Sequence, residues 1–162
     1  MRVTKAEVVV LSQCAISSRI MHWNDNMVTK VVKITRYAKK NYNVYCDHPN
    51  KAWLHIVAEY GKAGKWGNPF ETEDTENMNE RMIIIWKFLI DYLLEDKERL
   101  HRVPELRDKV LGCSCAPLPC HAQTLAYLAD NPETLHAALS GTKTKEEIAT
   151  EIFTFYEWTL PL

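Results

Sequence analysis

The chain of 162 residues lacks a long hydrophobic run and a strong net charge. Its longest apolar stretch, from Met82 to Leu94, is interrupted by Lys87 and Asp91, so it is too polar to span a membrane. Lysine and arginine (20) nearly balance aspartate and glutamate (21), which argues against general nucleic-acid or membrane-surface binding. The first residues show no signal-peptide cleavage site, and no internal repeat is present. We therefore expect a single domain that spans residues 1–162.

The cysteine count also excludes one class of protein. Five cysteines is an odd number, and a chain of this length can bury a sufficient core without disulfide bonds. Free thiols or a metal site in a reducing cytoplasm therefore fit better than a secreted disulfide framework. For a protein encoded by a phage, that compartment would be the host cytoplasm.

Alternating strand and helix patterns predict an α/β sandwich with a largely parallel sheet. A β-branched run at 7–11 is typical of a buried strand, and the segment 52–60 fits either a helix or a strand. The final helix has an apolar face that either completes the core or pairs with a second subunit in a homo-oligomer. Strands are predicted at 7–11, 28–35, 41–46 and 110–115, and helices at 77–96, 120–129, 132–139 and 145–158.

Three of the five cysteines lie in the segment 111–122, between a predicted central strand and a helix. Cys113, Cys115, Cys120 and His121 supply the right number and kind of ligands for tetrahedral zinc. Their spacing disfavours zinc, because one residue separates the first two cysteines and because Cys120 and His121 are adjacent.

Two other interpretations of this segment stay open. A helix that begins at Cys120 would lower the pKa of its thiol and make it a nucleophile or a redox partner for Cys113 and Cys115. Alternatively, the cysteines only fill a strand end and a packed helix start. In either case, a strand–loop–helix arrangement attracts phosphate or carboxylate to the helix N-terminus. It also lies at the carboxyl end of a strand, where open α/β sheets bind ligands.

A second constellation, Lys65-Trp66-Gly67-Asn68-Pro69-Phe70, lies in a glycine-rich loop. Gly67 permits a close backbone approach to a ligand, and the proline after Asn68 holds that residue extended. Trp66 offers a face for stacking a base, and Lys65 offers charge for a phosphate. Residue by residue, packing and an ordinary turn explain the loop equally well, whereas the combination is better explained by ligand binding.

Together these segments resemble domain-of-unknown-function family 4326, a group of uncharacterised bacterial and phage proteins. The resemblance rests on Tyr45 in a strand, on Lys65 to Phe70 in the loop, and on the motif from Cys113 to His121. It covers about residues 31–130, so that 1–30 and 131–162 look like an N-terminal strand extension and a C-terminal helical extension. The resemblance names no reaction, but its topology is similar to nucleotide-binding Rossmann-like domains.

We therefore expect a compact Rossmann-like three-layer sandwich that binds a small, phosphate-bearing, nucleotide-like ligand. One example would be a phage protein that sequesters a nucleotide signal. One alternative is an enzyme that hydrolyses or transfers a nucleotide derivative, with Cys120 as nucleophile or His121 as acid and base. Another is a zinc-stabilised interaction module. The expected ligand-binding residues are Tyr45, Lys65, Trp66, Gly67, Asn68, Cys113, Cys115, Cys120 and His121.

Overall fold

The computed structural model describes residues 27–34, 41–46, 66–70 and 77–161. The predicted strand at 7–11, the undecided segment 52–60 and Lys65 lie outside these residues. In the described part, no helix is both long and apolar enough to cross a membrane.

In the part of the chain that the structure describes, three short parallel strands form a sheet. β1 (Lys30–Lys33) and β2 (Val44–Tyr45) flank the central strand β3 (Val110–Cys113). Leu111 lies opposite Val31 on one side and opposite Val44 on the other. The predicted strands at 28–35, 41–46 and 110–115 are confirmed with shorter bounds, and all their pairings are parallel.

Five α-helices lie in the described part of the chain, and each of the four predicted helices is present. The first of them continues directly into a π-helical segment, Phe88–Leu93. At the end of this segment the N–H of Leu94 donates to the carbonyl of Leu89 at 2.9 Å. The helices are α1 (Met78–Lys87), α2 (Lys97–Arg102), α3 (His121–Asp130), α4 (Pro132–Ser140) and α5 (Lys145–Phe155), with a 3-10 turn at Val103–Leu106.

Side chains that precede the helices explain where several of them begin. The Asn77 side chain accepts hydrogen bonds from the N–H groups of Asn79 and Glu80 and starts α1. Thr144 and Glu147 form a capping box at α5. Gly141 ends α4 in the left-handed conformation, with φ of 72°.

One face of the sheet packs on α3 and builds the main core. Leu111, Leu125 and Phe153 are all fully buried there. The last of these belongs to α5, so the C-terminal helix completes the core, as one of the two sequence-based alternatives predicted. The C-terminal helices therefore share a hydrophobic core with the central strand and are not an independent unit.

The other face of the sheet carries a small separate cluster of Ile34, Tyr45 and Tyr42. Gly112 lies between them on the central strand, and a Cβ atom there would lie 2.6 Å from the Tyr42 ring and 2.7 Å from Ile34. A glycine is needed at this position because the two side chains occupy the space that any larger residue would take. The described structure is thus a mixed α/β domain with a small parallel sheet.

Candidate functional site at the carboxyl end of the sheet

Buried thiols and an imidazole converge where the central strand ends. Cys113 is the last residue of β3, and Cys120 and His121 begin α3. Their potential ligand atoms, two Sγ atoms and one ring nitrogen, all lie within 4.8 Å of one another. The three residues are at most 2% exposed. Such a compact group of soft donors can bind a metal ion or hold a thiol in a fixed position.

The imidazole of His121 has a defined orientation. Its Nε2 lies 2.6 Å from the carbonyl oxygen of Cys46 and 3.1 Å from that of Trp66. Carbonyl oxygens only accept, so Nε2 carries the proton, and in the neutral ring the lone pair is on Nδ1. The Phe88 ring packs edge-on to the imidazole at a centroid distance of 4.9 Å. The ring is therefore held by two loops and a helix.

The convergence of Cys120 and His121 overturns one expectation from the sequence. Adjacent residues were expected to have difficulty reaching one point, yet their ligand atoms lie in the same small cluster. The reason is the backbone: Cys120 is the N-cap of α3, with φ of −151° and ψ of 156°, and His121 is its first helical residue. The chain therefore turns from extended to helical between them, and the turn redirects the second side chain.

The thiols contact one another as well as the imidazole. Cys115 and Cys120 lie within hydrogen-bonding reach of Cys113, and these contacts, together with burial, raise the pKa of the Cys113 thiol well above its usual value. A raised pKa keeps the Cys113 thiol protonated and makes it a poor nucleophile. The four cysteines of the described residues, at positions 46, 113, 115 and 120, are all free thiols.

The glycine-rich loop reaches this cluster, although more than 50 residues separate Trp66 from His121. Trp66 is 7% exposed and belongs to the main core, while its carbonyl accepts from His121. Gly67 and Asn68 are buried beside it. The Asn68 side chain accepts from the N–H of Phe70 at 2.9 Å, which closes the turn. The two sequence motifs therefore lie in contact at the carboxyl end of the sheet.

Tyr45 is not part of this group. It precedes Cys46, whose carbonyl contacts His121, but its own side chain packs with Ile34 in the separate cluster. Cys115 is half-buried in the turn that follows β3, in a loop with a cis Ala116–Pro117 peptide bond.

The N-terminus of α3 is partly occupied by the protein itself. The N–H of Cys120 donates to the side-chain oxygen of Gln123 at 2.9 Å, as half of a capping box. The Thr124 hydroxyl donates to the His121 carbonyl at 2.6 Å. The helix dipole still gives this end a positive potential, but the Cys120 N–H is already engaged.

Arg81 is a residue of this region that sequence reasoning missed. It lies on α1, is 8% exposed, and its Nη1 donates to the carbonyl of Pro119 at 3.4 Å. Its guanidinium thus lies against the loop that leads into α3. The sequence does contain an indication of its role. Arg81 falls on the same helical face as the apolar residues Met78, Met82 and Ile85, where a charged residue is unusual.

These features define a small α/β domain with a buried cysteine–histidine cluster at the ends of parallel strands. The profile of the family described as "Domain of unknown function (DUF4326)" matches residues 19–131, and the chain belongs to this family. The match begins 12 residues before the region of resemblance inferred from the motifs and ends one residue beyond it. No curated protein and no solved structure matches the chain.

Proposed function

We propose that the chain binds a small, phosphate-bearing, nucleotide-like ligand at the carboxyl end of its parallel sheet. The observation that carries this proposal is the contact between the two motif loops: the carbonyl of Trp66 lies 3.1 Å from Nε2 of His121, beside the end of β3. Parallel sheets bind ligands at this edge because the loops that leave the strands converge there. A Rossmann-like three-layer sandwich would suit this role.

Positive potential near the start of α3 supports a phosphate-bearing ligand. A helix of ten residues begins at His121, and its dipole favours an anion at this end. The Arg81 guanidinium, whose Nη1 donates to the carbonyl of Pro119, lies beside the entry to the same helix. Guanidinium groups bind phosphate with two parallel hydrogen bonds, which an isolated dipole cannot provide.

The burial of the cluster favours binding over turnover. Nε2 of His121 donates to main-chain carbonyls, and the thiols of Cys113 and Cys120 are almost completely buried. Catalytic roles for Cys120 and His121 stay predictions from the sequence. We propose a binder that holds its ligand unchanged, in keeping with the sequestration of a nucleotide signal. The free thiols of the described residues suit a cytoplasmic location.

The test is a thermal-shift panel of purified protein with nucleoside mono-, di- and triphosphates, dinucleotides and cyclic dinucleotides, each compared with its phosphate-free nucleoside. We expect the phosphate-bearing ligands to raise Tm and the phosphate-free nucleosides to leave it unchanged. Only the negatively charged phosphates are attracted by the positive potential at the start of α3. Arg81→Gln should weaken binding by about 10- to 100-fold, the equivalent of one lost charged hydrogen-bond pair. Arg102→Gln is the matched control, because Arg102 is exposed and pairs with Glu105 at 2.9 Å.

Absence of a shift with every phosphate compound would refute the proposal, as would equal affinity in wild type and Arg81→Gln. Recovery of the unchanged ligand after long incubation supports a binder. Conversion of the ligand would instead favour an enzyme, and conversion that survives Cys120→Ala would eliminate Cys120 as its nucleophile.

A further inference from the structure

We propose that Cys113, Cys120 and His121 bind one zinc ion, with the thiol of Cys115 as the fourth ligand. This inference does not rest on the nucleotide-like ligand, because it is argued only from donor atoms of the protein, three of which belong to residues that are at most 2% exposed. Two observations carry the proposal: the compact arrangement of three buried donor atoms and the orientation of the imidazole.

The geometry suits a tetrahedral ion. Zinc binds cysteine sulfur at about 2.3 Å and histidine nitrogen at about 2.0 Å, so that its donors lie about 3.5–3.8 Å apart. In the structure the three donor atoms lie within 4.8 Å of one another, and a shift of about 1 Å would bring them into this range. Thiol and imidazole ligands together select zinc over magnesium or calcium, which prefer oxygen.

The contacts of His121 are those of a metal ligand. A histidine that binds metal through one nitrogen usually donates its other N–H to a carboxylate or a backbone carbonyl, which fixes the tautomer and the ring. Here Nε2–H is directed at the carbonyls of Cys46 and Trp66 at 2.6 and 3.1 Å. In this tautomer the lone pair is on Nδ1, which is the nitrogen that would bind the ion.

Cys115 is the thiol that we assign as the fourth ligand, because it follows Cys113 by two residues in the turn after β3. Its side chain lies outside the group of three donors and would have to turn towards them. The chain reverses direction after β3, where the N–H of Leu118 donates to the carbonyl of Cys115 at 3.0 Å, and this turn keeps Cys115 beside the strand end. Binding would replace each S–H proton of the three cysteines by a bond to zinc and release those protons to solvent. The resulting ion would connect β3, the turn after it and α3.

In the first experiment, purified wild-type protein is loaded with zinc chloride and unbound metal is removed by gel filtration. The bound zinc is then measured by elemental mass spectrometry. We expect one zinc per chain in the wild type and a loss to below a tenth of this value in Cys113→Ser, Cys120→Ser and His121→Ala. Cys46→Ser is the matched control: Cys46 is equally buried, its thiol is not in the group of three donors, and the substitution keeps the main-chain carbonyl that contacts His121, so the variant should retain full zinc.

A second measurement needs no variant that could fail to fold. Replacement of zinc by cobalt(II) in the wild-type protein should give the intense visible absorption of a tetrahedral ion and a sulfur-to-cobalt charge-transfer band in the near ultraviolet. A weak octahedral spectrum, or less than a tenth of an ion per chain after loading, would overturn the proposal. Full zinc in Cys113→Ser would do the same. An unchanged cobalt spectrum in Cys115→Ser would overturn the assignment of the fourth ligand.

The metal experiments contain no nucleotide, so their outcome is separate from that of the ligand panel. A protein that binds zinc and no nucleotide would support this inference while refuting the proposed function.

Discussion

The imidazole Nε2 of His121 lies 2.6 Å from the main-chain carbonyl oxygen of Cys46. This contact joins the start of α3 to the residue that follows β2, across 75 positions of sequence. The Trp66 carbonyl shares the same N–H at 3.1 Å. One ring nitrogen therefore connects three separate segments of the chain at the carboxyl end of the sheet.

Loss of the His121 side chain should loosen the loop that holds Trp66. His121→Ala removes the ring N–H that contacts both carbonyls, and loss of a buried hydrogen bond costs about 0.5–1.5 kcal/mol. We expect a lower free energy of unfolding and faster hydrogen exchange in the peptide that contains residues 66–70. His136→Ala, at an exposed position of α4, should change neither quantity. Unchanged exchange in His121→Ala would show that the contact does not hold the loop.

Asp130 should stabilise the connection between β1 and α3. Its carboxylate accepts from the N–H of Thr29 at 2.9 Å and from the Thr29 hydroxyl at 2.6 Å. Hydrogen bonds to a charged acceptor are worth about 1.5–3 kcal/mol, so Asp130→Ala should lower the free energy of unfolding in urea by about this amount. Because Thr29→Val removes only the hydroxyl bond, the double variant should lose less than the sum of the two single variants. Strict additivity would contradict a direct interaction.

An added methyl group at Gly112 should destabilise the sheet. A Cβ atom there would lie 2.6 Å from Tyr42 and 2.7 Å from Ile34, so neighbouring side chains or the strand must move. Overpacking of this kind costs about 1–3 kcal/mol, which thermal or urea unfolding of Gly112→Ala would detect. Tyr42→Ala removes Cγ and Cδ1, the ring carbons nearest to the added Cβ, so the double variant should lose less stability than the sum of the two single variants. Strict additivity would show that the clash with Tyr42 is not the cause.

Glu151 should make stability depend on pH in the acidic range. Burial by itself raises the pKa of this carboxyl, but hydrogen bonds from Lys143, Thr134 and Tyr127 outweigh burial and lower the pKa below its ordinary value of 4.5. The unfolded chain therefore binds the proton more readily than the folded chain. The contribution of Glu151 is fully present above pH 4.5 and is lost as the pH falls through the lower, folded pKa.

Urea unfolding of wild type and Glu151→Gln between pH 3 and pH 7, at roughly unit intervals, measures this effect. The variant should be less stable than the wild type at neutral pH, and the difference should shrink as the pH falls. Glu133→Gln, at an exposed position of α4, is the control and should leave the pH profile nearly unchanged. A difference that stays constant across the range would rule out the proposed linkage.

Sequence patterns predicted most elements of the described part of the chain. The strands at 28–35, 41–46 and 110–115 and the helices near α1, α3, α4 and α5 were predicted, whereas α2 and the 3-10 turn at Val103–Leu106 were missed. They did not predict the π-helical segment at Phe88–Leu93, because a single extra residue in a helical turn leaves no periodicity of its own. They also gave no sign of the separate side-chain cluster around Tyr45.

The sequence by itself determined which residues can carry chemistry: the cysteines, His121 and the loop at Trp66 are recognisable from residue type and order. Only the tertiary structure decided which of them meet. Cys120 and His121 converge because the backbone changes conformation at the N-cap of α3, and Trp66 joins them through a hydrogen bond across 55 positions. Arg81 reaches the same region because α1 packs against the cysteine loop. Contacts between distant segments depend on packing, and local spacing does not encode them.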